Sequence, residues 1–196
     1  RIGTLTRTGI EFEVMIPDVQ RLIDEERSRI DADGIAGVGF FEEYHQQDEL
    51  FAFYEALEES RPDLVTSRSI GESIEGREIR AYTISGAADP SSVPGIYIVA
   101  GAHAREWISP ATISYLADTL VNGHGADDRI TPLVDDLAWH IVPLANPDGY
   151  QFTWDSNRLW RKTRKANGDG TFGVDWNRNF AAGWGGPGSS GNTGSD

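Results

Sequence analysis

The sequence predicts an α/β fold in which a sheet is sandwiched between helices, and three observations carry that expectation. Two short apolar runs, Ile96-Tyr97-Ile98-Val99 and Trp139 to Leu144, read as buried strands. Between them Ile113, Leu116, Ala117 and Leu120 keep helical spacing. Strand, helix, strand order of this kind builds a sheet with helices laid against it. At 196 residues the chain holds one good core, or one domain with a short appendage.

Taken in order, residues 10–16 (Ile-Glu-Phe-Glu-Val-Met-Ile) alternate apolar and acidic as a half-exposed strand does, and Pro17-Asp18 opens a helix to about Ile30. This unit is too small to fold alone. Arg27-Ser28-Arg29, followed by the glycine-spaced stretch Asp33 to Gly39, predicts an accessible linker open to trypsin-like cleavage. The main domain then begins. Glu49 to Ser60 forms an amphipathic helix on Leu50, Phe53, Tyr54 and Leu57, ended by Arg61-Pro62. Two strands, Val65-Ile70 and Glu78-Ser85, flank the turn Ile74-Glu75-Gly76-Arg77.

A Pro- and Ser-rich loop, Ala88 to Gly95, leads to the strand at Ile96. The helix Ser109-Gly123 is expected to be capped by Ser109 with Pro110 at its first position. A short helix over Asp127 to Asp136 and the strand at Trp139 follow, and Asn146-Pro147-Asp148-Gly149-Tyr150 is a turn by composition. The tail, Gly183 to Asp196, is largely Gly, Ser, Asn and Thr and reads as a loop cut short.

The totals exclude several functions. A net charge of -14 disfavours nucleic acid and anionic membranes as partners. No run approaches the roughly 18 apolar residues of a membrane span, and no signal-peptide layout opens the chain. The absence of cysteine removes disulfides, thiolate zinc sites and thiol nucleophiles. Charge is unevenly spread. Residues 1–60 hold 15 Asp or Glu against 5 Arg, whereas residues 151–180 hold 6 Arg or Lys against 3 Asp. That positive island suits an anionic ligand, or is simply a solvated basic loop.

His103 and Glu106 sit where the strand at Ile96 bends into the following helix. Three-residue spacing at a helix start puts both side chains on one side, so an imidazole and a carboxylate can converge on one divalent cation, for which zinc is the natural candidate. The spacing alone arises by chance in many chains.

Four words in one order add weight: Gly101-Ala102-His103-Ala104-Arg105-Glu106-Trp107, Asn146-Pro147-Asp148-Gly149-Tyr150, Asn157-Arg158-Leu159-Trp160-Arg161-Lys162-Thr163-Arg164 and Asp175-Trp176-Asn177-Arg178-Asn179-Phe180. With them, and with Ile70-Gly71-Glu72-Ser73 and Glu75-Gly76-Arg77, the chain resembles the zinc metallocarboxypeptidases of the carboxypeptidase A/B type from about Glu11 onward. The resemblance implies a mixed central sheet with helices on both faces, of which only the N-terminal part is present. It implies residues 1–36 as the tail of a propeptide-like segment and linker, and 37–196 as a truncated catalytic domain. An N-terminal strand and helix packed on the main domain is the alternative for the first segment.

By the same resemblance, His103 and Glu106 bind one zinc ion, Arg161 polarises the scissile carbonyl, Asn177 and Arg178 hold the substrate's terminal carboxylate, and Arg105 and Arg158 contact substrate further along. The chemistry fits, because a guanidinium fork matches a carboxylate through two parallel hydrogen bonds. The implied partner is the C-terminus of a peptide or protein, the implied location extracellular, and the full-length form a monomer. In the family a third histidine ligand and a proton-shuttling glutamate come later, and His45, His124 and His140 are poor substitutes. The chain alone is therefore expected to lack turnover. Two other readings stand beside this one: a zinc-dependent deacylase of small acyl amino acids, and a non-catalytic carboxypeptidase-like peptide-binding protein or inert fragment. A-type and B-type side-chain preference are both open.

Overall fold

A computed structural model describes residues 6–32, 39–187 and 190–191. The chain divides into two compact units, Arg1–Glu43 and Tyr44–Asp196. In the first, α1 (Val19–Ala32) follows Asp18, whose Oδ1 accepts the Arg21 N–H at 3.2 Å. The strand expected over residues 10–16 is not formed. Ile10, Val14 and Ile16 are exposed, as are Glu11 and Glu13, and an alternating segment becomes a strand only where another strand pairs with it. Arg27-Ser28-Arg29 lies inside α1 rather than in a linker, with Ser28 Oγ donating to Asp24 O. Of the glycine-spaced linker expected from Asp33 to Gly39, residues 33–38 lie outside those described.

In the second unit, α2 (Gln47–Ser60) opens with a reciprocal cap between Gln46 and Glu49. Four strands follow: β1 (Val65–Glu72), β2 (Glu78–Ile84), β3 (Gly95–Val99) and β4 (Ala138–Val142). Their order in the sheet is β1-β2-β4-β3, with β1–β2 and β2–β4 antiparallel and β3–β4 parallel. The sheet is mixed, as the resemblance implies. Between β3 and β4 run α3 (Ile108–Gly123) and the short α4 (Thr131–Asp135), and α5 (Pro147–Asp155) follows β4.

Period-two alternation decides the faces. Val65, Tyr82, Ile84, Ile98, Trp139 and Ile141 point one way and join Tyr54, Leu57, Ile113, Ala117, Leu120, Val121 and Val134 in one cluster. Thus α2 and α3 close the same face. On the other face Thr83, His140 and Tyr97 stand side by side, with Thr83 Oγ1 3.0 Å from His140 Nδ1.

One helix start differs from expectation. Ser109 does not cap α3, which begins one residue earlier after Trp107. The Ser109 hydroxyl instead accepts the Gly101 N–H at 3.2 Å, a local bond that competes with capping. Asn146-Pro147, a turn by composition that the resemblance makes a helix start, does open a helix, with Asn146 Oδ1 accepting Gly149 N. This turn is bolted to the β1–β2 hairpin through buried Asp148, which accepts from Ser73 Oγ at 2.6 Å, Glu75 N at 3.0 Å and Arg77 Nη1 at 2.8 Å.

Candidate metal centre

The parallel pair builds the site. β3 and β4 leave the sheet together: Ala100 N donates to Val142 O, Ala145 N to Ala100 O, and Asn146 N to Gly101 O. Open α/β sheets gather ligands at such carboxyl ends. Gly101 turns the chain at φ 63°, and a Cβ there would lie 2.6 Å from Leu144 Cδ1, so both the torsion and the space call for glycine.

Beyond that turn His103 and Glu106 face each other. His103 Nδ1 lies 3.1 and 3.2 Å from the two Glu106 oxygens. Two donors held about 2.1 Å from one tetrahedral ion stand about 3.4 Å apart, so these groups are close to the spacing a shared cation needs. The opposite ring nitrogen, Nε2, meets Asp175 Oδ1 at 3.2 Å. Both neighbours are carboxylates that only accept, so without a cation each asks for a proton on the nitrogen it faces; a cation held between Nδ1 and Glu106 would require the proton on Nε2, toward Asp175.

Asp175 and Glu106 are not equivalent. The Asp175 side chain is 15% exposed and also accepts Arg161 Nε at 3.1 Å and Asn177 N at 2.9 Å. Burial pushes its carboxyl up, but the Arg161 guanidinium, the Asn177 N–H and His103 outweigh that and hold it below the usual carboxylate range. Glu106 is 48% exposed and has Arg161 Nη1 at 3.5 Å. The less committed carboxylate, Glu106, is the better placed to take a cation.

Arg161, which sequence reasoning singled out, thus stands between both carboxylates, its side chain 16% exposed. Ala104 N donates to Arg161 O at 3.0 Å, tying the two segments together. Arg105 reaches Leu159 O through Nη1 at 3.3 Å. Arg158 lies with Cζ 3.7 Å from the Trp107 ring centre and donates to Arg105 O at 2.8 Å. Trp107 stacks in turn on Trp154 at 4.0 Å and donates to Thr153 Oγ1 at 2.7 Å. Asn177 and Arg178 belong to a 3₁₀ turn, Trp176–Arg178, headed by Asp175, and both are exposed. That turn connects Arg178 in sequence to the residue that meets His103.

Asp175 was missed from the sequence. It opens the word containing Asn177 and Arg178, and its place at the head of that turn was the available signal. The other histidines are occupied elsewhere: His45 beside Glu49 at 3.6 Å, His124 between Arg61 and Asp135, His140 against Thr83. Among the described residues no three His, Asp or Glu side chains gather as a ligand set.

Fold and donors together define a mixed α/β chain with a candidate metal pair and an arginine at the carboxyl ends of its parallel strands. The chain belongs to the zinc carboxypeptidase family, whose profile matches residues 50–196. It is similar to carboxypeptidase A2 of Rattus norvegicus, 40% identical over 196 residues that cover 98% of this chain and 46% of that protein. Zinc carboxypeptidase A 1 of Anopheles gambiae is 38% identical, over 98% of this chain and 43% of its own. Among solved structures, thrombin activatable fibrinolysis inhibitor superposes with a TM-score of 0.86 at 31% identity, over 98% of this chain and 48% of that one. Carboxypeptidase A from Helicoverpa armigera gives 0.83 at 30% identity, over 98% and 48%. The chain spans about half the length of the relatives it matches.

Proposed function

We propose that this chain carries the metal-binding and carboxylate-recognising part of a metallocarboxypeptidase, which releases C-terminal residues from peptides with one zinc ion. The observation that supports this most is His103, with Nδ1 toward Glu106 at 3.1 Å and Nε2 backed by Asp175 at 3.2 Å. A metal-ligating histidine is ordinarily oriented by such a carboxylate behind it. Zinc, when bound, supplies Lewis acidity toward a peptide carbonyl and lowers the pKa of a coordinated water.

The rest is the work of this chain's own residues. Arg161 donates toward the oxygen on which charge develops, a task suited to a guanidinium fixed beforehand by Asp175. Arg178 and Asn177, exposed on their turn, hold the terminal carboxylate, and Arg105 and Arg158 line the path of the preceding residues. We assign residues 1–36 to a propeptide-like segment and linker and 37–196 to the catalytic portion, in an extracellular enzyme that is monomeric at full length. The third ligand and the catalytic glutamate belong, on this reading, to the part of the family's length that the chain does not span. No helix among the described residues is long and apolar enough to cross a membrane.

The two-donor site also supports a second reading, a non-catalytic protein that docks peptide C-termini. Assays on a version extended to the relatives' length separate the possibilities. Hydrolysis of blocked dipeptides, with kcat reduced about 10²- to 10³-fold in Arg161→Ala, supports the peptidase. Cleavage of acyl amino acids alone points to the deacylase, and peptide binding without turnover to the docking protein.

A further inference from the structure

Asn146 is 4% exposed, and its amide joins three segments. Nδ2 donates to Ala102 O at 3.2 Å and to Lys162 O at 3.1 Å, while Oδ1 accepts Gly149 N at 3.1 Å. Ala102 immediately precedes His103, and Lys162 immediately follows Arg161. Both amide protons are therefore spent on the two stretches that deliver the imidazole and the guanidinium. We propose that Asn146 is a positioning residue that sets the separation between the His103–Glu106 loop and the Arg161 segment, so that His103 and Arg161 reach Asp175 from two sides.

A second feature of the same junction is the close packing of Gly149. Gly149 packs so tightly that a Cβ would lie 2.5 Å from Lys162 O and 2.6 Å from Asn146 Nδ2. Nothing larger than hydrogen fits without driving the Arg161 segment away. The consequence is felt one residue before Lys162, where Arg161 O accepts Ala104 N at 3.0 Å across the gap. The inference rests on the reading of His103 and Glu106 as zinc ligands only for its metal arm.

Capping and bridging can be separated. Aspartate and serine cap helices as well as asparagine. A carboxylate, however, has no proton for the two carbonyls, and a serine hydroxyl is too short and has one. The test uses the full chain with Asn146→Asp, Asn146→Ser and Gly149→Ala, following amide hydrogen exchange without metal and zinc affinity by chelator competition. In all three variants the Ala104 amide is expected to exchange at least about tenfold faster relative to the β4 amides, and zinc to bind about 10- to 100-fold more weakly. Ala104 exchange that is unchanged, or that speeds only in step with β4, overturns the proposal, because a capping or global role predicts one or the other. Should Asn146→Asp not fold, Asn146→Ser and Gly149→Ala decide in the same way. If the unmodified chain takes up no zinc, the exchange arm still decides on Asn146, and what fails is the zinc reading.

Discussion

Replacing Asp148 by alanine is expected to destabilise the Tyr44–Asp196 unit by about 3 kcal/mol. Removing one partner of a buried ion pair costs roughly 3–5 kcal/mol when the remaining charge is stranded. Here the Asp148 carboxylate is 4% exposed but Arg77 is 33% exposed and can regain water, which favours the lower end. The Ser73 hydroxyl and the Glu75 N–H lose their acceptor as well, and water entering where the carboxylate was replaces it, so their loss adds little to that figure. For a unit of this size about 3 kcal/mol lowers the melting temperature by roughly 6–12 °C. Asp148→Asn keeps one acceptor and loses the charge, so it should fall between. Circular-dichroism melts and urea titrations of Asp148→Ala, Arg77→Ala and the double variant measure both the cost and the coupling. A loss below about 1 kcal/mol, or additive single effects, would refute the clamp.

Three further outcomes follow from the packing. Burial pushes the Tyr82 hydroxyl up to about 12 and raises Tyr54 and Tyr150 as well. Unfolded tyrosines ionise near pH 10, so stability should be intact below about pH 10 and fall as pH rises toward about 12, by up to about 1.4 kcal/mol per unit for each group. Absorbance at 295 nm should show late ionisation coinciding with unfolding, and three freely titrating tyrosines would contradict this. Arg158→Ala removes a cation from the Trp107 face and a donor from Arg105 O, at about 1–3 kcal/mol, with a shift in tryptophan fluorescence; an unchanged spectrum and melt would oppose it. The outer edge of β3 has no strand partner among the described residues, and Tyr97 on it is 68% exposed. Self-association is expected by light scattering and should diminish in Tyr97→Lys, whereas a monomeric parent chain would remove the ground for it.

Much of the frame was legible because burial writes a period into sequence. The α2 and α3 faces and the β3 and β4 runs fall within two residues of expectation. Residues 10–16 carry a strand's alternation but have no strand partner among the described residues, and a partner is a condition no local pattern contains. Ser109 had a capping residue's chemistry but spent it on Gly101, eight residues back and outside the reach of a helix-start rule. The site divides in the same way. His103 and Glu106 lie three residues apart and could be paired on the page, whereas Asp175 meets His103 across 72 residues. The place of Arg158 along the substrate comes from the resemblance alone; its stacking on the flat Trp107 ring depends on a fold that brings residues 51 apart together.

Crystals soaked with zinc and measured at the zinc absorption edge put the ligand pair to the most direct test. One anomalous peak is expected about 2.1 Å from His103 Nδ1 and from a Glu106 oxygen, with Nε2 still against Asp175, and it should vanish in His103→Ala. A peak between Nε2 and Asp175, or one that survives in His103→Ala, would contradict the assignment.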